Sequence, residues 1–226
     1  MPSSRMTSSR SRSGRNPLPG SRARTRTVWV ALAASMTAGI GLLSMLDPGA
    51  PARSGGVSLS PLMATGGARG VDAVFGTTEP IESGRWSSIV VVHSGSPVGS
   101  PASVEAEHRS VGYDGMGFHF LVGNGTGMSE GQIHVGYRWM EQRDGAELSG
   151  LDSAKGIVEV CLVGDGDRRP FGDEQLHRGA QLVAALADRL DIPTAQIRLH
   201  SELAETSSPG TYFPRQAFED LIASMR

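Results

Sequence analysis

Apolar runs alternate with amphipathic stretches through the second half of the chain. Ser88–His93 and Gly156–Val163 are almost continuously apolar, which is typical of strands buried on both faces. Between them, Phe118–Val122 and Gln132–Tyr137 flank a turn-forming segment at Asn124–Gly127. This arrangement predicts two long central strands and a β-hairpin.

Helical spacing of apolar residues marks three further segments. The clearest is Asp173–Leu190, for which Asp173 is the predicted N-cap. Ser103–Arg109 and Pro214–Met225 have shorter patterns of the same kind, and Ile197–Leu199 is a short apolar segment between helices. Strands interleaved with helices, with at least one hairpin, predict an α/β fold with a mixed central β-sheet flanked by helices.

An uncharged apolar stretch, residues 28–46, precedes this region. As a helix its nineteen residues span a bilayer core of about 30 Å. Residues 1–27 hold seven arginines and no acidic residue, so the positive-inside rule places them in the cytoplasm and the rest of the chain outside. A cleaved signal peptide has the same layout, with residues 50–52 as a candidate cleavage site, but the length favours an uncleaved membrane anchor. Both interpretations predict an extracytoplasmic domain.

These patterns divide the chain into four predicted segments. Residues 1–27 form a basic cytoplasmic tail, and residues 28–46 form the transmembrane anchor or signal helix. Residues 47–80 are rich in Gly, Pro, Ala and Ser and are predicted to be a linker. Residues 81–226 form the folded domain.

Charge narrows the choice of partners. All 23 acidic residues but only 14 of the 21 basic ones follow residue 27, which gives that part a formal charge of −9. An acidic domain is a poor partner for nucleic acid, so that class is excluded. The single cysteine, Cys161, has no second cysteine to pair with, and its apolar surroundings predict a small buried side chain.

Two histidines end apolar elements. His93 closes the first long strand, and His200 follows Ile197–Leu199. Open α/β sheets place their ligands at strand ends, so the two imidazoles are candidates for one metal site. Spacing alone favours the alternative, in which each is a solvated or core histidine.

The other polar groups are predicted to have structural roles. His119, between two phenylalanines, is predicted to be a hydrogen-bonded structural histidine, and His108 a solvated one. Residues 165–167 (DGD) are followed by too few ligands for a calcium loop.

A longer pattern follows His200. Residues 200–210 (HSELAETSSPG) and 212–214 (YFP) resemble the C-terminal signature of the zinc-dependent N-acetylmuramoyl-L-alanine amidases, which share a fold with the peptidoglycan recognition proteins. Residues 89–94, 117–122 and 161–165 resemble, in the same order, three strands of that family. The likeness extends over about residues 81–222.

The resemblance implies a metal site and a reaction. His93 and His200 correspond to the two nitrogen ligands of Zn²⁺, and Ser208 stands where the family has Cys or Asp. In such enzymes the metal activates a water that hydrolyses the amide between N-acetylmuramic acid and L-alanine. The implied partners are peptidoglycan or muropeptides.

Departures from the family pattern surround this site. A serine hydroxyl is neutral, so Ser208 is expected to weaken zinc binding, with Glu202 or Glu205 as alternative sources of an anion. Phe118 replaces a tyrosine of many active relatives and removes a hydrogen-bond donor. Glu147 replaces a pocket-edge histidine. Hydrolysis is therefore expected to be weakened or lost.

The remaining candidates complete the predicted site. Thr206 fits a catalytic position near the substrate carbonyl, and Glu147 is the other catalytic candidate. Phe118, Tyr137 and Trp139 are candidates for substrate binding because aromatic faces suit sugar rings, with burial as the alternative for the last two. The function implied is an exported amidase-family domain that acts on or binds peptidoglycan. The alternatives are a non-catalytic peptidoglycan- or muropeptide-binding module and an extracytoplasmic scaffold with a vestigial groove.

Overall fold

The structure is a computed structural model that describes residues 57–59, 71–146, 148, 150–151 and 153–226. The chain divides into two units, residues 1–52 and 53–226, and every described residue belongs to the second. The predicted tail, the predicted membrane helix and Glu147 lie outside the described residues. Among the helices that are described, none is both long enough and apolar enough to cross a membrane.

A six-stranded mixed sheet forms the centre of the second unit. Its strands are β1 (Val57–Leu59), β2 (Ser88–His93), β3 (Phe120–Val122), β4 (Ile133–Val135), β5 (Ile157–Leu162) and β6 (Ile197–Leu199). They lie in the order β1-β4-β3-β5-β2-β6. The pairs β3–β5, β5–β2 and β2–β6 are parallel, whereas β1–β4 and β3–β4 are antiparallel. The predicted mixed sheet and its hairpin, β3–β4, are confirmed.

In the part of the chain that the structure describes, four α-helices accompany the sheet: α1 (Pro101–Ser110), α2 (Tyr137–Met140), α3 (Asp173–Arg189) and α4 (Arg215–Met225). Single 3-10 turns occupy Asp72–Phe75, Thr194–Gln196 and His200–Glu202.

Helix starts follow local hydrogen bonding. The Ser100 hydroxyl accepts the Ser103 N–H at 3.1 Å, and the Ser103 hydroxyl accepts the Ser100 N–H at 2.8 Å, which closes a capping box ahead of α1. The prediction of Asp173 as an N-cap is wrong: Gly172 holds that position, and Asp173 is the first helical residue. There its carboxylate still interacts favourably with the helix dipole.

The two faces of the sheet bury different clusters. The helix-covered face, against which α3 and α4 pack, buries alternate strand residues: Ile89, Val91, Phe120, Val122, Val160 and Leu162. The opposite face, here called the pocket face, buries a smaller cluster that includes Val90, Val92, Leu121, Cys161 and Val163. The predicted burial of Cys161 is confirmed.

Two described parts of the predicted linker, residues 47–80, contact the folded domain. Strand β1 pairs with β4. Val71 and Val74 are buried in the core, and the Trp139 indole N–H donates to the Val74 carbonyl at 2.7 Å.

Candidate functional site

A pocket of about 260 Å³ lies at the carboxyl ends of β2 and β6. Parallel strands bring their carboxyl ends to one edge, which is why residues far apart in sequence meet there. Five predicted site residues are among its lining residues: His93, Phe118, His200, Thr206 and Ser208. The structure therefore brings together the predicted ligand set, one predicted catalytic residue and one predicted substrate-binding residue.

Ser208 lies against His93. The backbone N–H of His93 donates to the Ser208 hydroxyl oxygen at 3.1 Å, and Ser208 is only 5% exposed. The Ser208 N–H in turn donates to the Thr206 hydroxyl oxygen at 3.2 Å. These bonds hold the neutral hydroxyl of Ser208 beside the backbone of His93.

The imidazole of His93 is oriented by the loop after β5. The Gly166 N–H donates to His93 Nδ1 at 3.1 Å, so this nitrogen carries no proton and its lone pair is in use. One ligand atom each of His93, Asp165 and Asp167 lie within 4.8 Å of one another. The two aspartates follow β5 at the edge where His93 ends the neighbouring β2, and no calcium-loop spacing marks them in the sequence.

Both aspartates have other partners. Asp167 accepts hydrogen bonds from the Ser207 hydroxyl and, at 2.9 Å, from the Thr211 N–H. The bond from Ser207 is the main reason that the pKa of Asp167 is lowered. Asp165 pairs with Arg168 at 3.0 Å and accepts the Asp167 N–H at 3.1 Å. The loop is therefore well hydrogen-bonded without any ion.

Neither alternative source of an anion reaches the pocket. Glu202 pairs with Arg198 at 2.9 Å and with Arg215, and it accepts the Leu199 N–H at 3.0 Å. Burial raises the pKa of Glu202, but the bonds from Leu199 and Arg198 outweigh it and the pKa is lowered. Glu205 is exposed, and neither glutamate lines the pocket. The suggestion that one of them replaces the missing ligand is wrong.

A buried carboxyl, Glu159, is also part of the pocket lining. Its side chain is 0% exposed, and within the described part of the chain neither oxygen has a hydrogen-bond partner. Burial raises its pKa well above the ordinary value. The carboxyl group packs so closely against Gly145 that a Cβ atom there would overlap it.

Two other histidines are fixed by backbone groups. His119 Nδ1 accepts the Glu159 N–H at 3.0 Å, so Nε2 carries the proton and donates to the Arg143 carbonyl at 3.0 Å. Burial lowers the pKa of His119 to about 4, and its predicted structural role is confirmed. His108, predicted to be solvated, instead lines the pocket and accepts the Gly117 N–H at 2.7 Å. Burial lowers its pKa as well.

Tyr137 and Trp139, the other two predicted substrate contacts, are not among the residues that line this pocket. Both are buried, at 5% and 0% exposure, because α2 turns their rings inward. The Tyr137 hydroxyl donates to Asp114 at 2.7 Å. Burial, with this bond, raises the pKa of Tyr137 to about 12. Trp139 packs in the helix-covered core.

Comparisons with known proteins agree with the geometry. The sequence profile of the N-acetylmuramoyl-L-alanine amidase family, Amidase_2, matches residues 82–211, which is more than half of the chain. A search of curated proteins found no match.

Two solved amidase structures show the same fold, and a third structure is less similar. N-acetylmuramoyl-L-alanine amidase LysC from Clostridium intestinale URNW is 19% identical, with a TM-score of 0.53 over 65% of this chain and 92% of that chain. The endolysine N-acetylmuramoyl-L-alanine amidase LysCS of the same organism has a TM-score of 0.52 at 19% identity, over 65% of this chain and 90% of that one. Human PGRP-IBETAC in complex with glycosamyl muramyl pentapeptide has a TM-score of 0.48 at 17% identity, over 64% and 90%. Because the profile match covers strands β2 to β6, helices α1 to α3 and the pocket, the chain belongs to the N-acetylmuramoyl-L-alanine amidase family.

Proposed function

We propose that this chain is an exported peptidoglycan-binding domain of the amidase family, in which zinc-dependent hydrolysis of the muramoyl–alanine amide is weak or absent. The observation that carries the proposal is Ser208. It lies beside His93 in the pocket, and its hydroxyl already accepts the His93 N–H. Binding needs the groove, whereas hydrolysis also needs the metal.

The ligand set fits zinc poorly. His93, His200 and Ser208 offer two imidazoles and a neutral hydroxyl, whereas Zn²⁺ sites of this kind gain stability from a thiolate or carboxylate. Phe118, also in the pocket lining, has no hydroxyl to donate to a substrate carbonyl. Both features weaken catalysis and leave the pocket open to a ligand.

Metal content and wall binding test the proposal together. The purified full-length chain is expected to contain well below one zinc per molecule by inductively coupled plasma mass spectrometry, and to sediment with isolated peptidoglycan. No free L-alanyl peptides are expected from the wall. Ser208→Cys is expected to gain zinc because it restores an anionic ligand, and Ser201→Cys, exposed on the nearby turn, serves as the matched control. Stoichiometric zinc with peptide release by the wild type would reject the proposal.

A second candidate is residual metal-dependent amidase activity, and the grouping of His93 with Asp165 and Asp167 favours it. These three offer an imidazole and two carboxylates within 4.8 Å.

The two candidates respond differently to one substitution. If Asp167 is a ligand, Asp167→Asn abolishes both cation binding and any amidase activity of the wild type. If the binding module is correct, Asp167→Asn leaves sedimentation with peptidoglycan unchanged and there is no activity to lose. Asp188→Asn, on the far end of α3, is the matched control.

Export is the remaining part of the proposal. The uncharged stretch 28–46 behind seven arginines supports it. A fusion of the full chain to alkaline phosphatase, which is active only outside the cytoplasm, is expected to be active. Deletion of residues 28–46 is expected to abolish that activity. An inactive full-length fusion at normal abundance contradicts export.

A further inference from the structure

Glu159 stands apart from the other buried polar residues of the domain. Its backbone N–H is bonded to His119, but its carboxyl has no hydrogen-bond partner among the described residues. Gln175 and Arg178 each leave one atom unpaired as well, yet their side chains keep other hydrogen bonds. A wholly unpartnered buried carboxyl destabilises a fold, so its presence in a pocket lining points to a ligand.

The surroundings of this carboxyl keep it neutral. The described lining residues include the apolar side chains of Val92, Phe118 and Leu148 and three histidines, but no lysine or arginine. The nearby Arg138 is engaged with Asp114, the Met116 carbonyl and the Asp144 carbonyl. Burial outweighs the charge of Arg138 and favours the protonated acid, in agreement with the raised pKa. A neutral carboxyl presents one O–H donor and one carbonyl acceptor on a single edge.

We propose that Glu159 is a specificity-determining residue of the pocket, which recognises a primary carboxamide of the bound muropeptide. A primary carboxamide presents an N–H and a carbonyl on one edge, so it forms two hydrogen bonds with a protonated carboxyl. A trans peptide amide points these groups in opposite directions. The inference rests on the proposed function and adds a substrate class to it.

A ligand carboxylate is discriminated against in the same place. It offers acceptors only, so it forms a single hydrogen bond with the protonated carboxyl and sets a second acceptor against the Glu159 carbonyl oxygen. The described lining residues include no lysine or arginine to compensate its charge. The pocket therefore favours the amidated form of a stem peptide over the free acid.

Two probes that differ in this one group test the inference. They are N-acetylmuramyl-L-alanyl-D-isoglutamine, which carries the carboxamide, and N-acetylmuramyl-L-alanyl-D-glutamic acid, which carries a carboxylate instead. By isothermal titration calorimetry, the full-length wild type is expected to bind the carboxamide probe about tenfold more tightly. Glu159→Leu is expected to remove this preference by weakening the carboxamide probe alone. Glu82 is an exposed glutamate outside the pocket lining, so Glu82→Leu serves as the control and is expected to keep the preference.

Glu159→Gln provides a conservative second variant, should the leucine variant fail to fold. Its amide offers the same donor and acceptor as a protonated carboxyl, so the preference is expected to stay within about threefold of the wild type. Loss of the preference in Glu159→Gln would overturn the proposal that a neutral carboxyl pairs with the carboxamide. An unchanged preference in a folded Glu159→Leu would overturn the role of the residue altogether.

Sedimentation with isolated peptidoglycan separates this inference from the proposed function. A wild type that sediments but shows no preference between the probes overturns the carboxamide inference and leaves the proposed function standing. A wild type that neither sediments nor binds either probe overturns both. Because selectivity is a ratio of two affinities, a purely structural role of Glu159 would leave it unchanged.

Discussion

The two faces of the sheet are built from alternate residues of the same strands, yet they bury different chemistry. On the helix-covered face, Val160 of β5 packs in a continuous apolar core under α3 and α4. On the pocket face, its neighbour Glu159 is equally buried but has no partner for its carboxyl. At this point of β5 the helix-covered face thus buries an apolar side chain, whereas the pocket face buries an unpartnered carboxyl.

Truncating one phenylalanine to alanine on each face of the sheet should give the largest difference in unfolding free energy. Phe120, fully buried in the helix-covered core, is expected to cost about 3–5 kcal/mol of unfolding free energy when changed to Ala. Phe118 is half-buried in the pocket lining, so Phe118→Ala is expected to cost about 1–2 kcal/mol. Urea denaturation followed by circular dichroism measures both. Equal losses of unfolding free energy would show that the two side chains are equally well packed.

Acidification should lower the unfolding free energy of the domain through the protonation of His119. Its pKa is about 4 in the folded protein, against an ordinary value of 6.5, so the unfolded chain takes up the proton first as the pH falls. The stabilisation from neutral His119 is complete above about pH 6.5 and is lost down to about pH 4, a change of about 3 kcal/mol.

His119→Gln should flatten the dependence of stability on pH in this window, because glutamine does not titrate. His177→Gln, exposed on α3, should leave the slope as it is in the wild type. A slope that is identical in all three proteins would assign the acid sensitivity to other groups.

Removing the unpartnered carboxyl should change stability in the opposite direction. Glu159→Leu is expected to raise the unfolding free energy at pH 7 by about 1–3 kcal/mol, since an unsatisfied buried group is replaced by an apolar one. The folded pKa of Glu159 lies above its unfolded value, so the stability of the wild type falls as the pH rises beyond about 4.5. The advantage of the variant should therefore shrink at pH 4. A destabilised variant at both pH values would show that the carboxyl supports the fold.

The sequence predicted the elements with strong periodicity. Apolar runs located β2 and β5, turn residues located the β3–β4 hairpin, and helical spacing located α3. These features are local, which is why a sequence pattern shows them. The convergence of His93, His200 and Ser208 on one pocket was predicted through the family resemblance, because spacing alone does not reveal which strand ends meet.

Other features depended on tertiary contacts that no local pattern records. Asp165 and Asp167 lie near His93 because β5 and β2 are adjacent and parallel, a pairing known only from the sheet order. Tyr137 and Trp139 point inward because α2 is short and closely packed. The missing partner of Glu159 is likewise a property of its surroundings, although an acidic residue in an apolar strand is an observable signal.

Cys161 can be used to follow local opening and unfolding of the domain. It is the only sulfhydryl in the chain, it is fully buried on β5, and burial raises its pKa well above the ordinary value. Reagents that attack thiolates can therefore reach it only when the sheet opens locally or the domain unfolds. The rate of its alkylation in the unaltered protein therefore measures how often such openings occur, and ligands that close the pocket should lower that rate.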